Sequence, residues 1–154
     1  MDVEGEITVV APREAVFRAL SDAPFFASCI DGVHDLKQID ATRYDAMLET
    51  RIAYMRFTFR VTVEMSAVSP PETIEAKVEG TPVGMVGRLS ATATTRLSES
   101  GDGTNIHYAI NATLTGKLGS MGQPVLKAKA REMEKQFSER IAAAFAPGGA
   151  RATV

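Results

Sequence analysis

Between Tyr44 and Leu114, apolar side chains fall on every second position in one segment after another, and past Gly122 the spacing switches once to that of a helix. Tyr44, Ala46, Leu48, Thr50 and Ile52 alternate with Asp45, Glu49 and Arg51; Phe57, Phe59, Val61, Val63 and Met65 alternate with Arg56, Thr58, Arg60, Thr62 and Glu64. Ile74, Ala76 and Val78 alternate with Glu75, Lys77 and Glu79, and Gly87, Leu89, Ala91, Ala93 and Leu97 with Arg88, Ser90, Thr92, Thr94 and Arg96. Ile106, Tyr108, Ile110, Ala112 and Leu114 complete the series. A period of two describes a strand with one wet face. The connections Ser69-Pro70-Pro71, Thr81 to Gly84 and Glu99 to Gly103 are too short for crossover helices, so neighbouring strands pair antiparallel. Strands not separated by helices exclude a doubly wound parallel sheet.

The ends of the chain complete the pattern. Residues 3 to 11 alternate, with Val3, Gly5, Ile7 and Val9 on one side, and predict a first strand. Pro12 suits a first helical turn, and Ala15, Val16, Ala19 and Leu20 follow at helical spacing; a second short helix covers Phe25 to Cys29. Asp31-Gly32 marks a turn into a strand from Val33 to Ile39. The stripe Val125, Ala128, Met133, Phe137, Ile141 and Phe145 predicts a helix over 124–145, about 33 Å long, ending before Pro147-Gly148-Gly149. The expected fold class is α+β: a curved seven-stranded antiparallel sheet gripping a long C-terminal helix, with two short helices after strand 1. Residues 1–146 form a single domain, and 147–154 read as a flexible tail.

Small inward residues (Gly87, Ala91, Ala93, Ala46, Ala76) either leave volume between sheet and helix or let the two pack closely; the pattern is compatible with both. In the first case Leu48, Ile52, Phe57, Phe59, Val61, Leu89, Ala91, Tyr108, Ile110, Met133 and Phe137 line a hydrophobic ligand site. Six internal methionines (Met47, Met55, Met65, Met85, Met121 and Met133) suit an adaptable pocket as well as a core. Tyr44, Tyr54 and Tyr108 carry hydroxyls that could meet a ligand head group.

Charge and motif content narrow the function. With 17 basic and 19 acidic residues, a net charge of -2 and no basic run, nucleic acid is not an expected partner. No apolar run approaches the roughly 18 residues of a membrane span, and the acidic segment Met1 to Glu6 reads as a strand rather than a secretory signal, so a cytoplasmic protein is expected. Cys29, the only cysteine, reads as a small apolar side chain. His34 and His107 are the only histidines; unless they meet across the sheet there is no metal centre, and no cofactor is expected. Asp22, Asp31 and Asp35 fit turn and cap roles, with a buried base as the alternative. No nucleophile–base pair is apparent, so no catalytic residue is assigned. Three readings follow: a binding module for an apolar small molecule, a cyclase- or hydratase-type enzyme using the same pocket, and an interaction factor for a larger enzyme.

Several short stretches in fixed order carry a resemblance: Ala11-Pro12-Arg13-Glu14-Ala15-Val16-Phe17, Leu20-Ser21-Asp22, Cys29-Ile30-Asp31-Gly32-Val33, Gly84-Met85-Val86-Gly87, Gly103-Thr104 and Gly116-Lys117-Leu118-Gly119. Over about residues 3 to 146 the chain resembles the CoxG family of carbon monoxide dehydrogenase subunits, within the START and birch-pollen-allergen-like (SRPBCC) helix-grip superfamily. The resemblance implies a deep hydrophobic pocket between sheet and helix. It further implies a non-catalytic accessory role beside a molybdenum hydroxylase of the carbon monoxide dehydrogenase type, and association with a lipidic quinone or, peripherally, with the inner face of the membrane.

Overall fold

The computed structural model describes residues 1–146, so the expected tail at 147–154 lies outside the described residues. The elements run β1 (Asp2–Val9), α1 (Arg13–Ser21), α2 (Ala23–Ser28), β2 (Val33–Gln38), β3 (Arg43–Ile52), β4 (Met55–Ser69), β5 (Thr73–Pro82), β6 (Gly87–Ser100), β7 (Gly103–Thr115), α3 (Gly116–Gly119) and α4 (Gln123–Phe145). The seven strands form one antiparallel sheet in the order β1-β7-β6-β5-β4-β3-β2. Each hairpin places consecutive strands side by side from β2 to β7, and β1 joins the far edge beside β7. This is the helix-grip architecture that the alternation predicts.

Register carries the inward set across the sheet: Leu48 opposes Phe59, Val61 opposes Gly80, Val78 opposes Ala91 and Ala91 opposes Ala112. The strands run further than their apolar alternation. β4 continues to Ser69, and β5 takes in Thr81 and Pro82, assigned above to a loop. Pro82 pairs only with β4, past the last β5–β6 pair at Gly80, where a missing N–H leaves no ladder bond unmade. The one-turn helix α3 was not anticipated, because four residues that begin and end in glycine carry no readable period. On α4 the apolar stripe is shifted: Leu126 is buried and Ala128 exposed.

Packing concentrates at the two ends of the sheet. One cluster joins Ile7, Val9, Ile106 and Leu97 to Val16, Phe17 and Leu20 of α1 and to Ile141 of α4. The other joins Ile52, Phe57 and Phe59 to Leu118 of α3, with Met85, Met121 and Val125 against it. Each fully buried aliphatic or aromatic side chain contributes about 1.5–3 kcal/mol, so both ends are firmly closed. The one buried polar residue among them, Thr104, donates its hydroxyl to the Ala11 carbonyl at 2.7 Å and so ties β7 to the start of α1.

Candidate functional site

The part of the sheet between the two clusters is less buried. α4 passes closest to β1 and β3, which lie on opposite sides of the sheet, so it bridges the opening of a curved sheet rather than lying on its centre. Opposite it, the inward side chains of the central strands, Val63, Val78, Ala91, Ala93 and Ile110, belong to neither cluster and remain only half-buried. An apolar wall within a fold, yet still reachable by solvent, is the surface an apolar ligand would cover.

A surface cleft lies beside α4. On the β3 side, a cleft of about 530 Å³ runs between Thr50 and the α4 side chains Lys129, Met133, Gln136 and Arg140, with Asp31 at its edge. On its α4 wall Lys129 pairs with Glu132, three residues on, at 2.6 Å. Asp31, in the turn between α2 and β2, joins that turn to α4. Its N–H donates to Gln136 Oε1 at 3.0 Å, Gln136 Nε2 donates back to Asp31 Oδ2 at 2.6 Å, and Arg140 meets Oδ1 at 2.5 Å. The Arg140 hydrogen bond holds the Asp31 carboxyl below the ordinary carboxylate range, and Asp31 in turn raises Arg140. The turn itself is pinned by Gly32, which has φ +89° and whose carbonyl accepts from Glu49 N–H at 2.9 Å; a side chain there would collide with the Glu49 carbonyl. α2 adds aromatic contacts of Phe26 with Phe137 and of Phe25 with Phe145, at ring centroids of 5.2 and 6.2 Å. Asp31, read from sequence as a turn residue, is therefore also a clamp on the helix.

On the β1 side the seam holds a second polar pair. Tyr108 of β7 lies across its strand partner Gly5, where an added Cβ would sit 2.6 Å from Tyr108 Cζ. The absent side chain lets the phenol reach α4 and donate to Glu134 Oε2 at 2.5 Å. Burial first, and the neighbouring Glu134 carboxylate second, push the Tyr108 hydroxyl well above the usual tyrosine range, so it stays a protonated donor. Glu134 was missed in the sequence because it stands among Arg131, Glu132 and Lys135 and reads as part of a solvated face. Gly5 inside a strand was the available signal for a close approach.

The residues expected to line a pocket divide by place. Ile52, Phe57 and Phe59 are buried in the α3-end cluster, and Leu48, Val61 and Leu89 pack against it. Tyr108 and Phe137 pack against the α1-end cluster. Ala91 and Ile110 belong to the half-buried wall between, and Met133 lines the cleft.

Cys29 is buried, and burial outweighs the lowering by Ser28 and Arg140, so its thiol is held up in its neutral form. His34 sits on β2 beside Asp35 at 3.2 Å, and His107 on β7 beside Glu4 at 3.3 Å; they stand on distant strands and do not meet. Among the described residues no three His, Cys, Asp or Glu side chains come together as a metal site, and no helix is long and apolar enough to cross a membrane.

A curved antiparallel sheet closed by a C-terminal helix is the helix-grip fold. Solved structures share it. A conserved protein from Geobacillus kaustophilus superposes with a TM-score of 0.81 at 24% identity, covering 94% of this chain and 97% of that one. A Chromobacterium violaceum protein gives 0.70 at 16% identity over 95% and 97%. Ara h 8.0201, an allergen of the Bet v 1 type, gives 0.64 at 15% identity over 92% and 97%. At these identities the likeness is one of fold. No curated protein matches the sequence. The chain belongs to the CoxG family of carbon monoxide dehydrogenase subunits, whose sequence pattern it matches over residues 5–146.

Proposed function

We propose that this protein, acting as a single domain over residues 1–146, binds a hydrophobic or lipid-like small molecule between the sheet and α4 without transforming it. A quinone is one candidate ligand. It serves as an accessory to a molybdenum hydroxylase of the carbon monoxide dehydrogenase type, on the cytoplasmic side and at the membrane periphery. The family and its helix-grip fold support the accessory and binding parts of this reading. The observation that carries it is the wall of Val63, Val78, Ala91, Ala93 and Ile110, left half-buried between two well-packed clusters and spanned by α4. Native mass spectrometry of protein purified without detergent, followed by titration with short-chain quinones, tests it. One apolar molecule per chain is expected; a bare chain that takes up neither quinones nor apolar dyes would overturn the reading.

One observation favours a second reading. A cyclase- or hydratase-type use of the same pocket needs a carboxylate on the inner side, and Glu134, held by Tyr108, is such a group. In that case Glu134→Gln abolishes turnover of a bound ligand while leaving binding intact. A ligand recovered chemically unchanged after prolonged incubation removes this alternative.

A further inference from the structure

Charge along this chain is segregated in a way its net charge of -2 conceals. Segments 50–63, 80–98 and 103–131 contain no Asp or Glu, yet they hold Arg51, Arg56, Arg60, Arg88, Lys117 and Lys127 among their basic residues. The topology brings the turns of these three segments to one end of the sheet. The β3–β4 turn lies beside the β5–β6 loop, where Val83 N–H donates to the Thr58 carbonyl at 2.8 Å. That loop lies beside α3, where Lys117 N–H donates to the Val86 carbonyl at 3.0 Å and Gly87 bridges Gly116. The carboxylates nearest along the chain are Glu49 and Glu79, and Glu79 is already engaged by Arg88 at 3.1 Å.

The same end presents its apolar side chains outward. Tyr54 is 99% exposed and Val86 84%, with Val83 also exposed, although each stands in a turn or loop that could have been polar, and Met55, the first residue of β4, is exposed beside Tyr54. Val10, Ile39 and Val68 are exposed at the opposite end of the sheet, but among Asp40, Glu72, Glu99 and Asp102. Charge therefore distinguishes the two ends. Apolar tips flanked by Arg51, Arg56 and Lys117, with no acid in the same segments, match a surface that is apolar inside and anionic outside. An aromatic ring with a polar end, such as Tyr54, suits the boundary of that surface. A second copy of the chain is a poor occupant, because two basic tips repel each other.

We propose that the β3–β4 turn, the β5–β6 loop and α3 together form a docking tip for an anionic lipid bilayer, into whose head-group region Tyr54, Val83 and Val86 insert. The membrane-peripheral placement proposed above acquires a surface here, and the inference rests on that placement but not on the pocket. Met85 and Met121, half-buried between the tip and the cluster around Phe57, continue the apolar surface inward as far as that cluster.

Flotation with vesicles tests the tip. The full chain is expected to float with vesicles of phosphatidylcholine containing about a third phosphatidylglycerol, to remain behind with phosphatidylcholine alone, and to lose binding as salt rises. The double variant Tyr54→Ser/Val86→Ser removes only exposed atoms, so its melt should match the parent while its vesicle affinity falls about tenfold or more. Arg51→Glu/Arg56→Glu should lose the preference for anionic lipid. A parent chain that ignores both vesicles overturns the proposal and leaves the tip to an acidic protein surface; a double variant that floats like the parent overturns it as well. Apolar-dye uptake measured on the same samples reads the pocket separately. Flotation without uptake would refute the ligand reading and keep the tip.

Discussion

Replacing Ala91 by Trp distinguishes an open interior from a packed one. Ala91 sits on the inner face of β6 between Val78 and Ala112 of the flanking strands, half-buried and outside both clusters. If the space facing it is open, the indole enters that space. Burying about 100 Å² more apolar surface than alanine gains roughly 2.5 kcal/mol at 25 cal/mol per Å², against about 1 kcal/mol of lost rotamer freedom and some strain. The net change lies between zero and a modest gain. At roughly 2–4 °C per kcal/mol for a domain of this size, Tm stays put or rises by a few degrees, while uptake of apolar dye is lost because the ring occupies the ligand's place. If α4 instead fills the interior, the same substitution overpacks it by about 1–3 kcal/mol or more and Tm falls by up to roughly 12 °C. A thermal melt beside a dye titration separates the two, and a large fall in Tm in a chain whose parent never bound dye would refute the reasoning.

The clamp on the cleft gives a kinetic expectation: Asp31→Ala, which leaves both clusters intact, should speed ligand exchange in stopped-flow displacement with little change in the melt. Because the folded carboxyl titrates below its ordinary 3.8, the clamp is present above that value and is lost only as pH falls below it, so exchange in the parent should be flat from about pH 5 to 8 and quicken only in acid. Gly5→Val should displace the Tyr108 ring and cost about 1–3 kcal/mol in denaturant unfolding; a substitution without cost would contradict the close approach. Tyr108 is raised by burial and by Glu134, so its stabilising contribution is complete below about pH 10 and disappears as pH rises past it; Glu134→Gln should soften that alkaline loss in pH-dependent melts.

Strand identity and the single terminal helix were legible because one-sided burial writes a period of two along Tyr44 to Leu114, and short turns leave only antiparallel pairing. What the residues could not reveal was the distance between α4 and the central strands. Ala91 and Ala93 suit either close packing or open space, and that α4 passes nearest β1 and β3 follows only from the fold. The polar pairs were illegible for a related reason. Asp31 with Arg140, and Tyr108 with Glu134, join positions 109 and 26 residues apart, and no local pattern marks which charged residue of a helix turns inward. The docking tip falls between these cases: its acid-free segments can be read from the sequence, but their convergence at one end follows only from the topology.

Methyl- and amide-detected NMR during titration with an apolar ligand such as a short-chain quinone reports directly on the space beneath α4. Saturable shifts concentrated at Val63, Val78, Ala91, Ala93 and Ile110, with Met133 of the cleft beside α4 following them, are the expected result. Shifts confined to exposed residues of the outer face, or none at ligand concentrations near solubility, would contradict the claim that this fold holds an apolar molecule between its sheet and its terminal helix.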